Sequence, residues 1–238
     1  EQELPNGNFP TAPFPNPEIR QAFECALKLA EKVGPDLLLA TDPDSDRVGI
    51  AVKNGGDYTL MTGNQVGAML LHYVLSQRTA LGTMPKNPIA VKTIVTSDIC
   101  KFIAKKYNCQ LIEVLTGFKF IGEQIGLLEA KGEADRYVFG FEESYGYLAG
   151  SYVRDKDAVV ASMLICEMAS FYKLQGKNLI QVMEEIYAEF GLYVNEQQSF
   201  TCEGAEGMQR MEKIMNDLRQ NPPTELGGRK TLRICDYE

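Results

Sequence analysis

The feature that most constrains this chain is an acidic loop between two apolar runs. Residues 37–40 are apolar, three aspartates follow at alternate positions, and residues 48–52 are apolar again. We predict two strands joined by this loop. Carboxylates packed this closely repel one another unless a positive charge lies among them. The pattern therefore predicts that Asp42, Asp44 and Asp46 bind a hard divalent cation such as Mg²⁺.

Arg47 follows the third aspartate and adds a fixed positive charge, with a planar guanidinium that suits phosphate oxygens. Two other interpretations exist. Asp, Pro and Ser are common turn formers, so the loop can be a solvated acidic turn. An EF-hand loop starting at Asp42 requires a glycine at position six and a glutamate at position twelve, but Arg47 and Lys53 stand there. We therefore interpret the loop as a metal and phosphate site.

Composition limits the class of protein. The chain has 238 residues and a formal net charge of −8, whereas a nucleic-acid-binding protein needs a basic surface. No apolar run is long enough to span a membrane, and no signal peptide is visible. Six cysteines are scattered without a C-x-x-C pair, which predicts reduced thiols in a cytoplasmic protein. Both ends of the sequence look like cuts, so we expect a fragment of a longer protein.

The order of elements predicts the fold class. A helix after Pro17 precedes the strands around the acidic loop, and helices then alternate with strands. The predicted helices are 64–77, 98–107, 118–131, 156–175, 179–189 and 206–221, and the later predicted strands are 89–95, 111–114, 137–141, 197–202 and 230–235. This alternation is typical of an α/β fold, with mixed, mostly parallel sheets flanked by helices. We interpret the turn at 54–57 as a domain boundary.

A second acidic motif, at residues 140–146, follows a predicted strand and so lies at the carboxyl edge of the sheet, where α/β proteins bind ligands. Glu142 and Glu143 offer carboxylates that accept hydrogen bonds from vicinal sugar hydroxyls, and Ser144 can both donate and accept. These residue types predict a sugar-binding loop. The alternative is a helix N-cap with acidic residues near the helix dipole.

Basic residues begin two predicted helices. Lys119, in the segment Thr116–Lys119, can bind a phosphate or move a proton there, and the alternative is a solvated lysine. Arg154 and Lys156 are interpreted either as part of a capping cluster or as phosphate ligands. The sequence contains no Ser-His-Asp set, no phosphate-binding P-loop and no dinucleotide glycine motif. Metal-assisted phosphoryl transfer is the chemistry that remains.

Three motifs together resemble one known family, the α-D-phosphohexomutases. Residues 42–47 resemble its metal loop, residues 140–146 its sugar-binding loop, and residues 116–119 its Thr-Gly-x-Lys turn. The form Gly-Phe-Glu-Glu-Ser-Tyr-Gly-Tyr is most similar to the phosphoglucomutases and the related phosphopentomutases. The resemblance implies an intramolecular phosphotransferase with four domains around a cleft.

The resemblance also implies a domain assignment. Residues 1–55 resemble the end of the second domain with its metal loop, 56–190 the third domain with its sugar loop, and 191–238 a linker and the start of the fourth domain. The family's phosphoserine loop and its fourth-domain phosphate loop have no counterpart in this sequence. We therefore expect that the fragment alone is inactive.

The resemblance implies roles for the charged residues of the first loop. Asp42, Asp44 and Asp46 would hold Mg²⁺, which also contacts the phosphoserine. Arg47 would steady the oxygens of the phosphoryl group during transfer. Lys119 is the expected acid or base helper.

The same resemblance implies the substrate and the reaction. Glu142 and Ser144, with Glu143, would hold the sugar hydroxyls in either of two orientations, so that a sugar 1,6-bisphosphate intermediate can turn over. The expected partner is a small sugar phosphate, with glucose 1-phosphate and glucose 6-phosphate first. Mannose and pentose phosphates are the alternatives. A Mg²⁺-dependent phosphatase and a sugar-phosphate binding module are rival classes, and the oligomeric state stays open.

Overall fold

The computed structural model describes residues 2, 4–195 and 202–237. The chain divides into two compact units, residues 1–194 and residues 195–238. The first unit holds two β-sheets with their helices, and the second holds one helix and a short hairpin. Both predicted loops therefore lie in the first unit.

The first sheet is an antiparallel meander around the acidic loop. A 3-10 turn at Arg20–Phe23 leads into α1 (Glu24–Val33), which ends where Gly34 takes a left-handed φ of 65°. Strands β1 (Leu37–Thr41), β2 (Val48–Asn54) and β3 (Asp57–Met61) then follow. Because Thr41 pairs with Val48, the acidic loop is the tip of the β1–β2 hairpin. The two strands predicted around this loop are confirmed.

Strand β3 was not predicted. The turn at residues 54–57, interpreted from the sequence as a domain boundary, is the tight turn of the β2–β3 hairpin, in which Asn54 pairs with Asp57. Gly55 takes a φ of 62° there, as a two-residue hairpin turn requires. Tyr58 and Leu60 are only half-buried, and Thr59 between them is exposed. The strand therefore shows only a short alternation of residue types, which is a weak sequence signal.

The second sheet has the order β5-β4-β6-β7. Strand β4 pairs in parallel with both β5 and β6, whereas the short β7 pairs antiparallel to β6. Its strands are β4 (Ile89–Thr93), β5 (Gln110–Val114), β6 (Tyr137–Phe141) and β7 (Tyr147–Leu148), and its helices are α2 (Gly63–Ala80), α3 (Ile99–Lys106), α4 (Phe118–Glu129), α5 (Ala158–Lys173) and α6 (Leu179–Phe190). The predicted α/β class with mixed sheets and flanking helices is confirmed.

One core joins the two sheets of the first unit. Val48, Ile50 and Val52 of β2 pack in the same buried cluster as Leu70 of α2 and Phe139 of β6. A separate cluster between α4 and the other face of the second sheet contains Val91 and Ile125 among others. Apolar burial on both faces holds the carboxyl edge of the sheet in place, and that edge carries the predicted sugar-binding loop.

The second unit contains α7 (Gly204–Gln220) and a hairpin of β8 (Glu225–Leu226) and β9 (Arg229–Lys230). The helix predicted at 206–221 is confirmed. The strand predicted at 230–235 is wrong, because Gly227 and Gly228 both take positive φ and form a tight turn that pairs residue 230 back with residue 225. The strand predicted at 197–202 lies, except for Cys202, outside the described residues.

None of the helices in residues 4–195 and 202–237 is both long enough and apolar enough to cross a membrane.

Candidate metal and sugar-phosphate site

The acidic loop is organised by the buried carboxylate of Asp42. Its Oδ1 accepts hydrogen bonds from the backbone N–H groups of Asp46 (3.1 Å) and Arg47 (3.0 Å). Its Oδ2 accepts from Nε of Arg47 at 2.7 Å. Ser45 takes a left-handed φ of 55°, which lets the chain reverse direction within the loop. Asp42 therefore organises the loop from within, as a buried acceptor of three hydrogen bonds.

The three predicted aspartates lie together. Asp42, Asp44 and Asp46 each offer a carboxylate oxygen, and these oxygens all lie within 4.8 Å of one another. Asp44 is exposed and makes no hydrogen bond or ion pair with any residue of the described ranges. Such a set of carboxylate oxygens, graded from buried to exposed, suits a hard cation that retains some water.

The environment shifts the pKa values of two of these aspartates in opposite directions. Burial alone would raise the pKa of Asp42, but the backbone and side-chain hydrogen bonds from Arg47 outweigh it and lower that pKa. Burial raises the pKa of Asp46, and neighbouring Asp42 raises it further, against the opposing effect of Lys156. Asp42 is thus held more firmly as an anion than Asp46.

Arg47 lies among carboxylates on both sides of the loop. Its Nε is 2.7 Å from Asp42 and 3.7 Å from Asp46, and its Nη1 is 3.8 Å from Glu18. Burial lowers the pKa of Arg47, but the hydrogen bond and charge of Asp42 raise it more. The guanidinium is therefore a permanent cation beside the acidic cluster, with about 31% of its side chain exposed.

The predicted sugar-binding loop connects β6 to β7. The backbone N–H of Glu142 donates to the carbonyl of Gly146 at 2.9 Å, and Tyr145 takes a φ of 67° within this reversal. Glu142 is buried, which raises the pKa of its carboxyl group, while Lys156 and hydrogen bonding from Ser144 oppose that rise. The loop is not a helix N-cap, since α5 begins only at Ala158.

The backbone joins the acidic loop directly to the sugar-binding loop. The N–H of Val48 donates to the carbonyl of Tyr145 at 3.1 Å, and Arg47 and Gly146 form an antiparallel bridge. The N–H of Ala158, at the start of α5, donates to the carbonyl of Ser45 at 3.1 Å. The acidic cluster and the sugar loop thus form one continuous surface at the ends of β1 and β6.

The side chain of Lys156 bridges the two loops. The sequence left its role open between a capping cluster and a phosphate ligand. Its Nζ lies 2.9 Å from Oδ2 of Asp46 and 5.6 Å from the centre of the Phe118 ring. A methyl group at Gly146 would meet Cδ of Lys156 at 2.2 Å, so the lysine passes closely over a residue without a side chain. Arg154 instead pairs with Glu129 on α4, away from the acidic cluster.

Lys119 is exposed at the start of α4. Its Nζ lies 4.9 Å from the centre of the Phe120 ring, and it makes no ion pair or hydrogen bond with the part of the chain that the structure describes. Helix α4 begins after Gly117, which has a φ of 117°. The neighbouring Phe118, rather than Lys119, contacts the bridging lysine. The predicted role of Lys119 stays a prediction.

The carboxylate of Glu143 is bound by two buried threonines. Its Oε2 accepts hydrogen bonds from Thr93 (2.7 Å) and Thr96 (3.2 Å), whose hydroxyls lie 2.7 Å apart. Lys92, which is fully buried, donates to the carbonyls of both threonines and to Glu113 at 2.7 Å. Sequence reasoning missed this group, although a lysine inside an apolar strand was a signal that a buried charge needed partners.

A cavity of about 670 Å³ opens beside the acidic loop. Thr41, Asp42 and Ser45 line one side of it, and residues of the N-terminal segment such as Phe9 and Pro10 line the other. The acidic loop is therefore accessible from a recess large enough for a phosphorylated small molecule.

Comparison with known proteins gives the family. A sequence model described as phosphoglucomutase/phosphomannomutase, alpha/beta/alpha domain III, matches residues 62–190, more than half of the chain, and the corresponding domain II model matches residues 1–56. The chain belongs to the phosphoglucomutase/phosphomannomutase family. The family predicted from the motifs is thereby confirmed.

Individual family members resemble this chain to different extents. A phosphoglucomutase from Staphylococcus aureus (strain MRSA252) is 43% identical over 234 residues, which are 98% of this chain and 41% of that protein. A putative phosphomannomutase structure from Thermus thermophilus has a TM-score of 0.58 at 26% identity, covering 75% of this chain and 36% of the other. The open form of Paramecium pp63/parafusin, a phosphoglucomutase, is similar in fold alone (TM-score 0.55, 19% identity, 86% and 35% coverage). The chain therefore spans 41% of the length of that curated relative.

Proposed function

We propose that this chain supplies the metal loop and the sugar-binding loop of a phosphohexomutase that interconverts a sugar 1-phosphate and a sugar 6-phosphate. Glucose phosphates are the first expected substrates, and the S. aureus relative supports this choice. The observation that carries the proposal is the backbone junction between the two loops, with Val48 bonded to Tyr145 and Arg47 paired with Gly146. This junction would hold phosphoryl-binding and sugar-binding groups at a fixed spacing.

The three aspartates would hold Mg²⁺. Carboxylate oxygens are the ligands that Mg²⁺ prefers, and the mutual approach of Asp42, Asp44 and Asp46 fits such an ion. When bound, the ion would supply neutralising charge to the transferring phosphoryl group. Asp42 stays anionic because its carboxylate accepts three hydrogen bonds within the loop, two of them from Arg47. Arg47 itself would steady phosphoryl oxygens with its exposed N–H groups.

The sugar would bind at the second loop. Glu142 and Ser144 are proposed to hold its hydroxyls, because the buried carboxyl group of Glu142 can accept hydrogen bonds and the hydroxyl of Ser144 can both donate and accept them. Glu143 was expected to assist them. Lys119 is proposed as an acid or base helper, since it is exposed and its ammonium makes no hydrogen bond or ion pair with the described residues.

The remaining expectations belong to the same proposal. Residues 1–55, 56–190 and 191–238 are proposed as the end of a second domain, a third domain, and a linker with the start of a fourth. The full-length enzyme would use a phosphoserine from elsewhere in its chain and a sugar 1,6-bisphosphate as intermediate and activator. We place this enzyme in the cytoplasm.

The test is ³¹P NMR on the full-length protein with Mg²⁺ and a trace of glucose 1,6-bisphosphate. Glucose 1-phosphate, mannose 1-phosphate and ribose 1-phosphate are offered in turn. Conversion of a hexose 1-phosphate to its 6-phosphate without free phosphate would support the proposal and identify the sugar. Release of inorganic phosphate would instead indicate a phosphatase, and binding without conversion of any substrate would indicate a sugar-phosphate binding module.

A further inference from the structure

The side chain of Glu143 faces the interior of the protein at one of its carboxylate oxygens. Thr93 and Thr96 are fully or almost fully buried, with 0% and 3% of their surface exposed, and both hydroxyls lie within hydrogen-bond distance of Oε2 of Glu143. A carboxylate can only accept, so at least one threonine must donate to it. This oxygen therefore already accepts a hydrogen bond from the protein when no sugar is bound.

The threonines themselves are held by a buried cation. Nζ of Lys92 donates to the carbonyls of Thr93 (3.2 Å) and Thr96 (2.9 Å), and the N–H of Thr96 donates to the carbonyl of Thr93. The lysine is paired in turn with Glu113 at 2.7 Å. The bonds of Lys92 and the Thr96 N–H thus fix the turn after β4, which holds the two threonine hydroxyls at the Glu143 carboxylate.

The backbone of Glu143 is fixed from the opposite side. A side chain at Gly63, the first residue of α2, would meet the Glu143 carbonyl oxygen at 1.9 Å. The helix start therefore packs directly on the loop backbone, which is possible only because residue 63 is glycine. Glu143 is thus held both by its main chain and by its carboxylate.

We propose that Glu143 is a positioning residue, whose bonds to Thr93 and Thr96 fix the loop so that Glu142 and Ser144 meet the sugar. Glu143 itself does not contact the sugar. This inference rests on the proposed function, and it replaces the expectation that Glu143 is a sugar ligand. The family resemblance identifies the loop, whereas the different roles of Glu143 and of Glu142 with Ser144 are inferred from the contacts of the described residues.

The kinetic test uses the full-length enzyme and measures KM and kcat with glucose 1-phosphate. Glu143→Ala and the double variant Thr93→Val/Thr96→Val should each lower kcat/KM by about 10- to 100-fold, the scale for misplaced reacting groups. The triple variant should lose no more than Glu143→Ala, because all three residues act as one unit. Glu143→Gln retains an acceptor oxygen for the threonines, so it should recover to within about threefold of wild type.

A direct sugar ligand would behave differently. The threonine variants would then leave kcat/KM nearly unchanged, Glu143→Gln would lose as much as Glu143→Ala, and KM would carry most of the loss. That pattern would overturn the proposal. Glu123→Ala is the matched control, because Glu123 is an exposed glutamate on α4, and it should behave as wild type.

A second measurement separates this proposal from the proposed function. Amide hydrogen exchange followed by mass spectrometry on the 238-residue chain reports on the loop without any turnover. Glu143→Ala and the double threonine variant should both speed exchange in the peptide that contains residues 140–146, where the Glu142 N–H donates to Gly146. Exchange in α1 (Glu24–Val33) should not change. Unchanged exchange in the loop would refute the positioning role of Glu143, even if the full-length enzyme is a mutase. Faster exchange in the variants, together with a full-length wild-type enzyme that shows no mutase activity, would refute the proposed function alone.

Discussion

Val48 of the first sheet donates its backbone N–H to the carbonyl oxygen of Tyr145 in the second sheet's loop, at 3.1 Å. This bond lies between the acidic cluster and the sugar-binding loop. Because Arg47 and Gly146 pair beside it, neither loop can shift without disturbing the other. A side-chain substitution in one loop should therefore also disturb the structure of the other loop.

Gly146→Ala is expected to strain this junction. The new methyl group would meet Cδ of Lys156 at 2.2 Å and Oε1 of Glu142 at 3.0 Å. The free energy of unfolding should fall by about 1 to 3 kcal/mol, the usual cost of overpacking a buried site. Urea unfolding of the chain measures it. Gly56→Ala is the control, since nothing lies within 4 Å of that position, and an equal loss in both variants would contradict the explanation.

Asp44→Asn is expected to weaken metal binding without unfolding the chain. Asp44 is exposed and makes no hydrogen bond or ion pair with other residues of the described ranges, so removing its charge breaks no such contact within the fold. Calorimetric titration with Mn²⁺ should show an affinity at least about tenfold lower than that of wild type. Asp135→Asn, another exposed aspartate, should bind as wild type does. Unchanged Mn²⁺ affinity in Asp44→Asn would remove Asp44 from the ligand set.

Lys156→Gln is expected to strengthen metal binding. The ammonium lies 2.9 Å from Asp46 and therefore repels a cation that binds to the same carboxylate. Removing it should raise Mn²⁺ affinity by roughly three- to tenfold, the effect of one partly exposed charge at this range. Lys131→Gln, at an exposed position, is the control. Weaker binding would show instead that Lys156 orients Asp46 for the metal.

His72 is expected to make the fold sensitive to acid. Burial lowers its pKa, Lys106 lowers it further, and Glu189 opposes both. Its Nε2 lies 3.1 Å from the hydroxyl of Tyr107, and its Nδ1 has no partner in the described part of the chain. A histidine that is neutral in the fold contributes full stability above the unfolded pKa of about 6.5. That contribution falls as pH decreases below this value.

Urea unfolding at pH 7.5 and pH 5.0 measures this dependence. The difference between the two free energies of unfolding should be smaller in His72→Gln than in wild type, because glutamine does not titrate. Equal differences in the two proteins would assign the acid sensitivity to other groups. The histidine is otherwise a packing residue, with its ring edge-on to Tyr107 and Phe190.

The sequence predicts proximity best for residues that are neighbours in the chain. Asp42 to Arg47 and Glu142 to Ser144 each lie in one short loop between elements of strong periodicity, so spacing alone places their side chains together. Helices α2 to α6 and strands β4, β5 and β6 were predicted for the same reason, whereas the two-residue β7 was not predicted.

Contacts between distant segments were beyond that reasoning. Thr93 lies 50 positions from Glu143, and Lys156 is more distant still from Asp46. Such pairs form only after β4, β6 and the first sheet pack together, and a single sequence carries no record of that packing. The strand predicted at 230–235 was wrong for a local reason. The Gly227-Gly228 turn pairs residues 229 and 230 with residues 226 and 225, so the hairpin ends at residue 230.

The shared core of the two sheets has a consequence for any attempt to dissect this protein. The family's domain II and domain III models meet between residues 56 and 62, yet Val48 and Ile50 are buried in one cluster with Leu70 and Phe139. A cut at that border would leave two apolar faces in water. The stretch that each family model matches is therefore shorter than the stretch that shares one core. Fragments should be designed to keep the β1–β3 meander together with the second sheet and its helices.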